Sequence, residues 1–134
     1  MELMKADKRS LAERQQSLSK QCVKKAEEED YASLMNDTKW RELCLAFHSL
    51  EEATSWRTHD FINGYLSQWD RDWFHHVGPD YVSIEWLEIN CENCAASKIR
   101  HILLTLGVSF EEAEHFKVFG YKTSKATTSS KLRT

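Results

Sequence analysis

The chain has 134 residues, of which 41% are hydrophobic and 29% charged, and its formal net charge is −3. This length fits one domain with flanking segments, and the apolar content suffices for a core, which excludes a wholly disordered chain. No apolar run approaches the roughly 20 residues that cross a bilayer, so we expect no membrane contact. The first thirty residues are charged instead of forming an apolar secretory segment, which predicts a cytoplasmic location.

Charge divides the chain into three segments. Residues 1–30 are neutral overall, whereas residues 31–121 hold fourteen acidic and seven basic side chains. Residues 122–134 hold four basic side chains and no acidic one. Because an acidic body repels phosphates, we expect no nucleic-acid partner. The Ser, Thr and Lys content of the last segment predicts a disordered basic tail.

The first 34 residues predict a helical extension, because a thin apolar stripe runs between charged side chains. Asp37 and Thr38 are good N-cap residues, so we place the domain boundary at residues 31–36. A helix over residues 39–50 follows from apolar side chains at steps of three and four, namely Trp40, Leu43, Cys44, Phe47 and Leu50.

The middle of the chain predicts strands. Residues 56–61 are rich in aromatic and β-branched side chains and precede a tight turn at Asn63-Gly64. The clearest hairpin signal pairs residues 73–77 with residues 81–89 across a Gly-Pro-Asp turn. Alternation in the second run directs one set of side chains to the core, namely Val82, Ile84 and Trp86. It directs the other set to the opposite face, namely Tyr81, Ser83, Glu85, Leu87 and Ile89.

The last part of the domain predicts a helix over residues 90–106 with Gly107 as its C-cap, and a strand over residues 116–121. The predicted fold class is therefore α+β, a two-layer sandwich. We expect a four-stranded, mainly antiparallel sheet with two helices on one face, and an N-terminal helical extension. The domain occupies residues 35–121, between the extension at 1–34 and the tail at 122–134.

Two stretches resemble a known family. The run Asn36 to Leu43, with sequence NDTKWREL, and the run Ser83 to Ile89, with sequence SIEWLEI, are similar to a group of small bacterial proteins classed as a domain of unknown function. The resemblance covers roughly residues 31–121. It implies a bacterial origin and a compact α+β domain, and it implies no activity and no catalytic residue.

Cys91 and Cys94 form a CxxC motif where the predicted strand ends and the helix begins. A helix N-terminus lowers the pKa of a thiol, which suits a thiol-redox protein. The pair also suits zinc, with His75, His76 or His101 as candidates for the remaining ligands. The plain structural alternative is that both thiols start the helix and pack against the sheet. Because the sequence shows no secretory segment, we expect the four Cys of the chain to be free thiols that form no disulfide.

The chain contains no GxSxG, Walker, dinucleotide-binding or HExxH motif, so we expect no catalytic residue and no cofactor. An open sheet face with aromatic, His and acidic side chains is typical of a protein-binding surface. The candidate binding residues are Trp56, Arg57, Trp73, His75, Tyr81 and Glu85. We therefore expect a non-enzymatic binding module whose partner is another protein or a second copy, such as a protein that neutralises a basic toxin.

Overall fold

The computed structural model describes residues 10–77, 80–91 and 95–123. In chain order these residues form α1 (Leu11–Glu29), β1 (Tyr31–Ser33), α2 (Asp37–His48), β2 (Thr54–Asp60), a short 3-10 helix (Tyr81–Ser83), β3 (Ile84–Cys91), α3 (Ala96–Leu106), β4 (Phe110–Glu112), β5 (Phe116–Phe119) and β6 (Tyr121–Thr123). The α+β class predicted from the sequence is confirmed.

The main sheet has the strand order β2-β3-β5-β4 and every neighbouring pair is antiparallel. The helices α2 and α3 pack against one face of it, which we call the core face. Buried side chains from both layers form one cluster, including Leu43, Phe47, Ile99 and Leu103 from the helices and Leu87, Ile89 and Val118 from the sheet. Burial of one such side chain contributes about 1.5–3 kcal/mol. The predicted two-layer sandwich is therefore confirmed.

Local sequence signals explain the limits of the helices. Asn36 is the N-cap of α2, and its side-chain oxygen accepts a hydrogen bond from the Lys39 N–H at 2.8 Å. The cap thus lies one residue before the predicted Asp37. Gly107 ends α3 with a φ of 73°, as predicted, because glycine adopts the left-handed conformation without strain. The start of α3 is later than predicted, since β3 continues to Cys91.

The helix α1 begins with a capping box, in which Ser10 and Glu13 bond to each other's backbone N–H groups. It ends at Glu29, and Tyr31–Ser33 form β1 instead of continuing the predicted helical extension to residue 34. The strand β1 pairs with β6 in a separate two-stranded sheet. This pairing ties the chain after α1 to the end of the domain.

The final strand predicted over residues 116–121 is divided at Gly120 into β5 and β6. A side chain at Gly120 would collide with the carbonyl oxygen of Ile84. The close approach lets the Gly120 N–H donate to the Glu85 carbonyl at 2.7 Å. Lys122 and Thr123, which were predicted to belong to the tail, are in β6, and the rest of that tail lies outside the described residues.

The predicted hairpin is wrong. Residues 73–77 form turns and a bend, and the antiparallel neighbours of β3 are β2 and β5. The Asp72 carboxylate accepts hydrogen bonds from the backbone N–H groups of Phe74 and His75 at 2.9 and 2.8 Å. Such local bonds compete with strand pairing, which explains the turn. Gly78 and Pro79, at the predicted hairpin tip, lie outside the described residues.

The predicted assignment of side chains to the two faces of β3 holds for Ile84 and Glu85 but is wrong from Trp86 onward. His59 pairs with Trp86 whereas Asp60 pairs with Ile84, so the register shifts and Glu85 is an extra residue in β3. Because a bulge of this kind resets the alternation, Leu87 and Ile89 are buried in the core with Ile84. Trp86 instead stacks on His59, on the opposite face.

Candidate binding surface

The sheet face opposite α2 and α3, which we call the outer face, carries a row of alternating charges. Arg57 of β2 is the cross-strand partner of Glu88 in β3, Glu88 is the partner of Lys117 in β5, and Lys117 is the partner of Glu111 in β4. Cross-strand partners point to the same face of an antiparallel sheet. The four side chains therefore form one line across the sheet, which we call the charge ladder.

Glu88 is the most closely paired member of the charge ladder. The Arg57 Nε donates to Glu88 Oε1 at 2.7 Å, and His115 Nδ1 lies 3.5 Å from Glu88 Oε2. Burial by itself would raise the pKa of the Glu88 carboxyl, whose side chain is 13% exposed. The hydrogen bond from Arg57 and the nearby charges of Arg57, Lys117 and His115 outweigh burial and lower that pKa. Glu88 is therefore a charged, fixed group.

Aromatic rings lie beside the charges of the ladder. The Arg57 guanidinium is 4.6 Å from the centre of the Trp69 ring, and the Lys117 ammonium is 4.3 Å from that of Trp86. The His59 ring stacks on the Trp86 ring with 4.0 Å between centroids, and the His59 Nδ1 lies 3.0 Å from Glu85 Oε1. Cations held on aromatic planes are favourable by about 0.5–2 kcal/mol each. The outer face is thus an organised aromatic and charged surface.

The structure separates the six candidate binding residues. Arg57 and Glu85 are on the outer face, where Glu85 contacts His59 and Arg57 contacts Glu88. Trp56 and Trp73 are buried in the core, so they are not accessible to a partner. The two others lie elsewhere: His75 is on the exposed turn beside Asp72, and Tyr81 is half-buried beside Cys44.

Sequence reasoning missed Glu88, Lys117, Glu111, His115 and Trp69 as members of this surface. They come from three strands and two connecting segments, so their proximity depends on the register of the sheet. Only Glu88 had a local indication in the sequence, because it lies two residues after Trp86 in the same strand and so shares its face. That indication did not identify the outer face, because the face of Trp86 depends on where the bulge lies.

A second polar cluster surrounds the turn at residues 70–76. His76 Nδ1 lies 2.8 Å from Asp70 Oδ2, and this hydrogen bond raises the pKa of His76. The backbone N–H groups of His75 and Phe74 stabilise the Asp72 carboxylate and lower its pKa to about 2. The cluster is exposed and its groups are paired with each other, which indicates a role in fixing the turn.

We expect the stability of this turn to depend on acid pH. The charged form of Asp72 is favoured in the folded chain, and its ordinary pKa is about 3.9. Its contribution is therefore complete above that value and is lost as the pH falls through about 2. A carboxyl NMR titration should place the Asp72 midpoint near 2, and Asp72→Asn should remove this pH dependence. A midpoint close to 3.9 would contradict the hydrogen-bonded turn.

The predicted metal and redox site is only partly within the described residues. The strand β3 ends at Cys91 and α3 begins at Ala96, whereas Cys94 lies outside the described residues. His75 and His76 are paired with Asp72 and Asp70, as described above. In the described ranges, no group of three or more His, Cys, Asp and Glu side chains is arranged to hold a metal ion.

The two cysteines with described side chains are buried thiols. Burial raises the pKa of the Cys44 thiol to about 11, although Tyr81 is a hydrogen-bond partner. Burial likewise raises the pKa of Cys22, which contacts Tyr121. A thiol with a raised pKa is a poor nucleophile. Cys22 and Cys44 therefore act as core residues.

The fold and the outer face define a small two-layer α+β domain with an accessible, charge-paired sheet surface. The chain belongs to DUF6678, a family of unknown function, and the match covers residues 22–125. The predicted membership of an uncharacterised family is thus confirmed. No curated protein and no solved structure matches the chain. Among the helices of the described part, none has the length and apolar character needed to span a membrane.

Proposed function

We propose that the protein is a non-enzymatic protein-binding module of the bacterial cytosol, and that it binds its partner through the outer face. The observation that carries the proposal is the combination of Trp69 with Arg57 and of Trp86 with Lys117 on the outer face, where Trp69 is 37% exposed and Trp86 is half-buried. Trp and Arg are enriched among the residues that dominate the energy of protein interfaces. The rings are already ordered by their cations, so little side-chain entropy is lost on binding.

Trp69 offers the sharpest test of this surface. Its side chain is 37% exposed and lies over Arg57 and His115 at the edge of the outer face. If Trp69 anchors a partner, Trp69→Ala should weaken binding by about 2 kcal/mol or more, which is roughly thirty-fold. The immobilised full chain should capture a defined protein from an extract of its host, and Trp69→Ala should lose it.

Phe74 provides a matched control. It is 60% exposed, and its ring lies near His48 of α2, on the helix side of the molecule. Phe74→Ala removes a comparable aromatic surface and should leave capture unchanged. Equal capture by the wild-type chain and Trp69→Ala, or loss with Phe74→Ala alone, would overturn the outer face as the binding surface.

The excess of acidic side chains in residues 31–121 supports a basic protein, such as a cationic toxin, as one class of partner. Opposite net charge accelerates association and makes it sensitive to salt. For such a partner we propose that the rate of association falls steeply between low and physiological ionic strength. A rate that does not change with salt would argue against a basic partner.

A second candidate function is a thiol-redox or zinc protein that uses Cys91 and Cys94. It is supported by the end of β3 at Cys91 and the start of α3 at Ala96, since the CxxC motif connects these elements. Metal analysis of the purified protein should then find zinc, or thiol titration should find a lowered pKa. A Cys91→Ser, Cys94→Ser double variant should abolish either property. Absence of both properties in the wild-type protein would eliminate this function.

A further inference from the structure

The order of charges in the charge ladder limits what can pair with the outer face. From β2 to β4 the signs are positive, negative, positive and negative, for Arg57, Glu88, Lys117 and Glu111. At a spacing of about 4.8 Å between strands, the row is about 14 Å long. These four charges sum to zero, and the Lys122 ammonium lies 4.0 Å from Glu111 Oε2 at the end of the row. A uniformly basic or acidic partner would therefore meet as many repulsive as attractive charges along this row.

A second copy of the chain supplies the complementary pattern. If two outer faces meet around a two-fold axis parallel to the strands, one ladder runs in reverse over the other. Arg57 then faces Glu111 of the second copy, and Glu88 faces its Lys117. A two-fold axis along the row would instead place each charge over its own equivalent, which is repulsive. The alternating row thus selects one of the two face-to-face arrangements.

We propose that the outer face binds a second copy of this chain, in a symmetric dimer with reversed charge ladders. This inference rests on the proposed function, because it names the protein that occupies the same surface. The ends of the ladder are its more exposed members, since the Glu111 side chain is 53% exposed and the Arg57 side chain is 28% exposed, whereas the Glu88 side chain between them is 13% exposed. The aromatic rings of Trp69 and Trp86 add apolar area beside the row.

The size of the face determines the strength of the dimer. The four strands of the main sheet contain 22 residues, and at about 4.8 Å by 3.3 Å for each residue they give a projected area of about 350 Å². This is below the roughly 800 Å² per partner of a standard stable interface. We therefore expect a weak dimer with a Kd of about 10–100 μM. Sedimentation velocity of the full chain should show a monomer that converts to a dimer over this range and reverts in high salt.

Substitution of Glu111 tests the reversed pairing. In Glu111→Lys, each copy places a lysine over Arg57 of the other copy, twice per dimer, so the Kd should rise at least about tenfold. Glu42→Lys is the matched control, because Glu42 is 49% exposed on α2, away from the outer face, and the charge change is the same. The control should dimerise like the wild-type chain. Circular dichroism should show that both variants are folded.

Mixing two variants gives a second, independent test. Arg57→Glu should also be monomeric, since the glutamate of each copy then faces Glu111 of the other copy, twice per dimer. In a heterodimer of Arg57→Glu with Glu111→Lys, the introduced glutamate faces the introduced lysine. The unchanged Glu111 of the first variant faces the unchanged Arg57 of the second, so both contacts are attractive. The mixture should form a heterodimer that neither variant forms alone. If Arg57→Glu does not fold, the Glu111→Lys result decides the question.

The outcomes separate this inference from the proposed function. A wild-type chain that stays monomeric to about 1 mM, or a dimer insensitive to Glu111→Lys, overturns the dimer. If Trp69→Ala still abolishes capture of a different host protein, the proposed binding surface stands and only the choice of a second copy fails. A dimer that weakens with Glu42→Lys instead of Glu111→Lys would place the contact on the helix side and overturn the dimer through the outer face.

Discussion

Leu87→Glu is expected to unfold the domain, whereas Trp86→Glu is expected to leave it folded. Leu87 is fully buried between the sheet and the helices, so a glutamate there would lose apolar contacts and bury an unpaired charge. We expect a loss of about 5 kcal/mol or more, comparable to the whole stability of a small domain. Urea unfolding followed by circular dichroism would measure it, and Leu87→Ala should give a smaller loss of about 2–5 kcal/mol.

Trp86 is the matched neighbour in the same strand. A glutamate at this position lies on the outer face beside Lys117 and His59, which can pair with it. It therefore loses ring contacts without leaving a buried charge unpaired. The uninterrupted alternation predicted from the sequence implies the reverse result, with position 86 in the core and position 87 outside. A folded Leu87→Glu together with an unfolded Trp86→Glu would show that β3 has no bulge.

The comparison of these two residues shows what the sequence alone could predict. The helix α2 depends on side chains three and four positions apart, such as Trp40, Leu43 and Phe47, and this pattern is complete within one short segment. The bulge depends on how β2 pairs with β3, about 25 residues further along the chain. Local periodicity therefore predicted the helix, while the face of each strand residue required the pairing itself.

The missed hairpin has a similar cause. Residues 73–77 have aromatic side chains and a following turn signal, which favour a strand. The hydrogen bonds from Phe74 and His75 to Asp72 close a turn instead. The sequence did contain an indication of a turn, namely Asp72 before this run, because an aspartate side chain accepts hydrogen bonds from nearby backbone N–H groups. The strand prediction rested on the aromatic composition of residues 73–77 and did not take Asp72 into account.

The candidate surface was predicted less completely than the fold. Arg57 and Glu85 were among the predicted binding residues, and both are on the outer face. Their partners are Glu88 and His59, which became evident only from the register and the bulge. Trp56 was a candidate because aromatic residues favour interfaces, but the same property favours the core. Residue type alone does not distinguish these two environments.

Phe61→Ala is expected to release α1 from the domain. Phe61 is fully buried where α1, β6 and the end of β2 meet, and its ring stacks on Tyr121 at 3.9 Å between centroids. It also meets the Tyr31 ring edge to face at 5.0 Å, and the Lys25 ammonium lies 4.7 Å from its centre. Removal of this ring should lower the free energy of unfolding by about 3–5 kcal/mol.

The loss should be concentrated at α1, because Cys22, the one fully buried side chain among the described residues of this helix, packs in the same apolar cluster as Phe61. Amide hydrogen exchange should show that protection of α1 falls more than that of α2, whose buried stripe is intact. Phe74→Ala is the control, since it removes an exposed ring of the same size. Equal protection of α1 in both variants would mean that contacts other than those of Phe61 hold the helix, and that the apolar cluster of Cys22, Phe61 and Tyr121 does not anchor it.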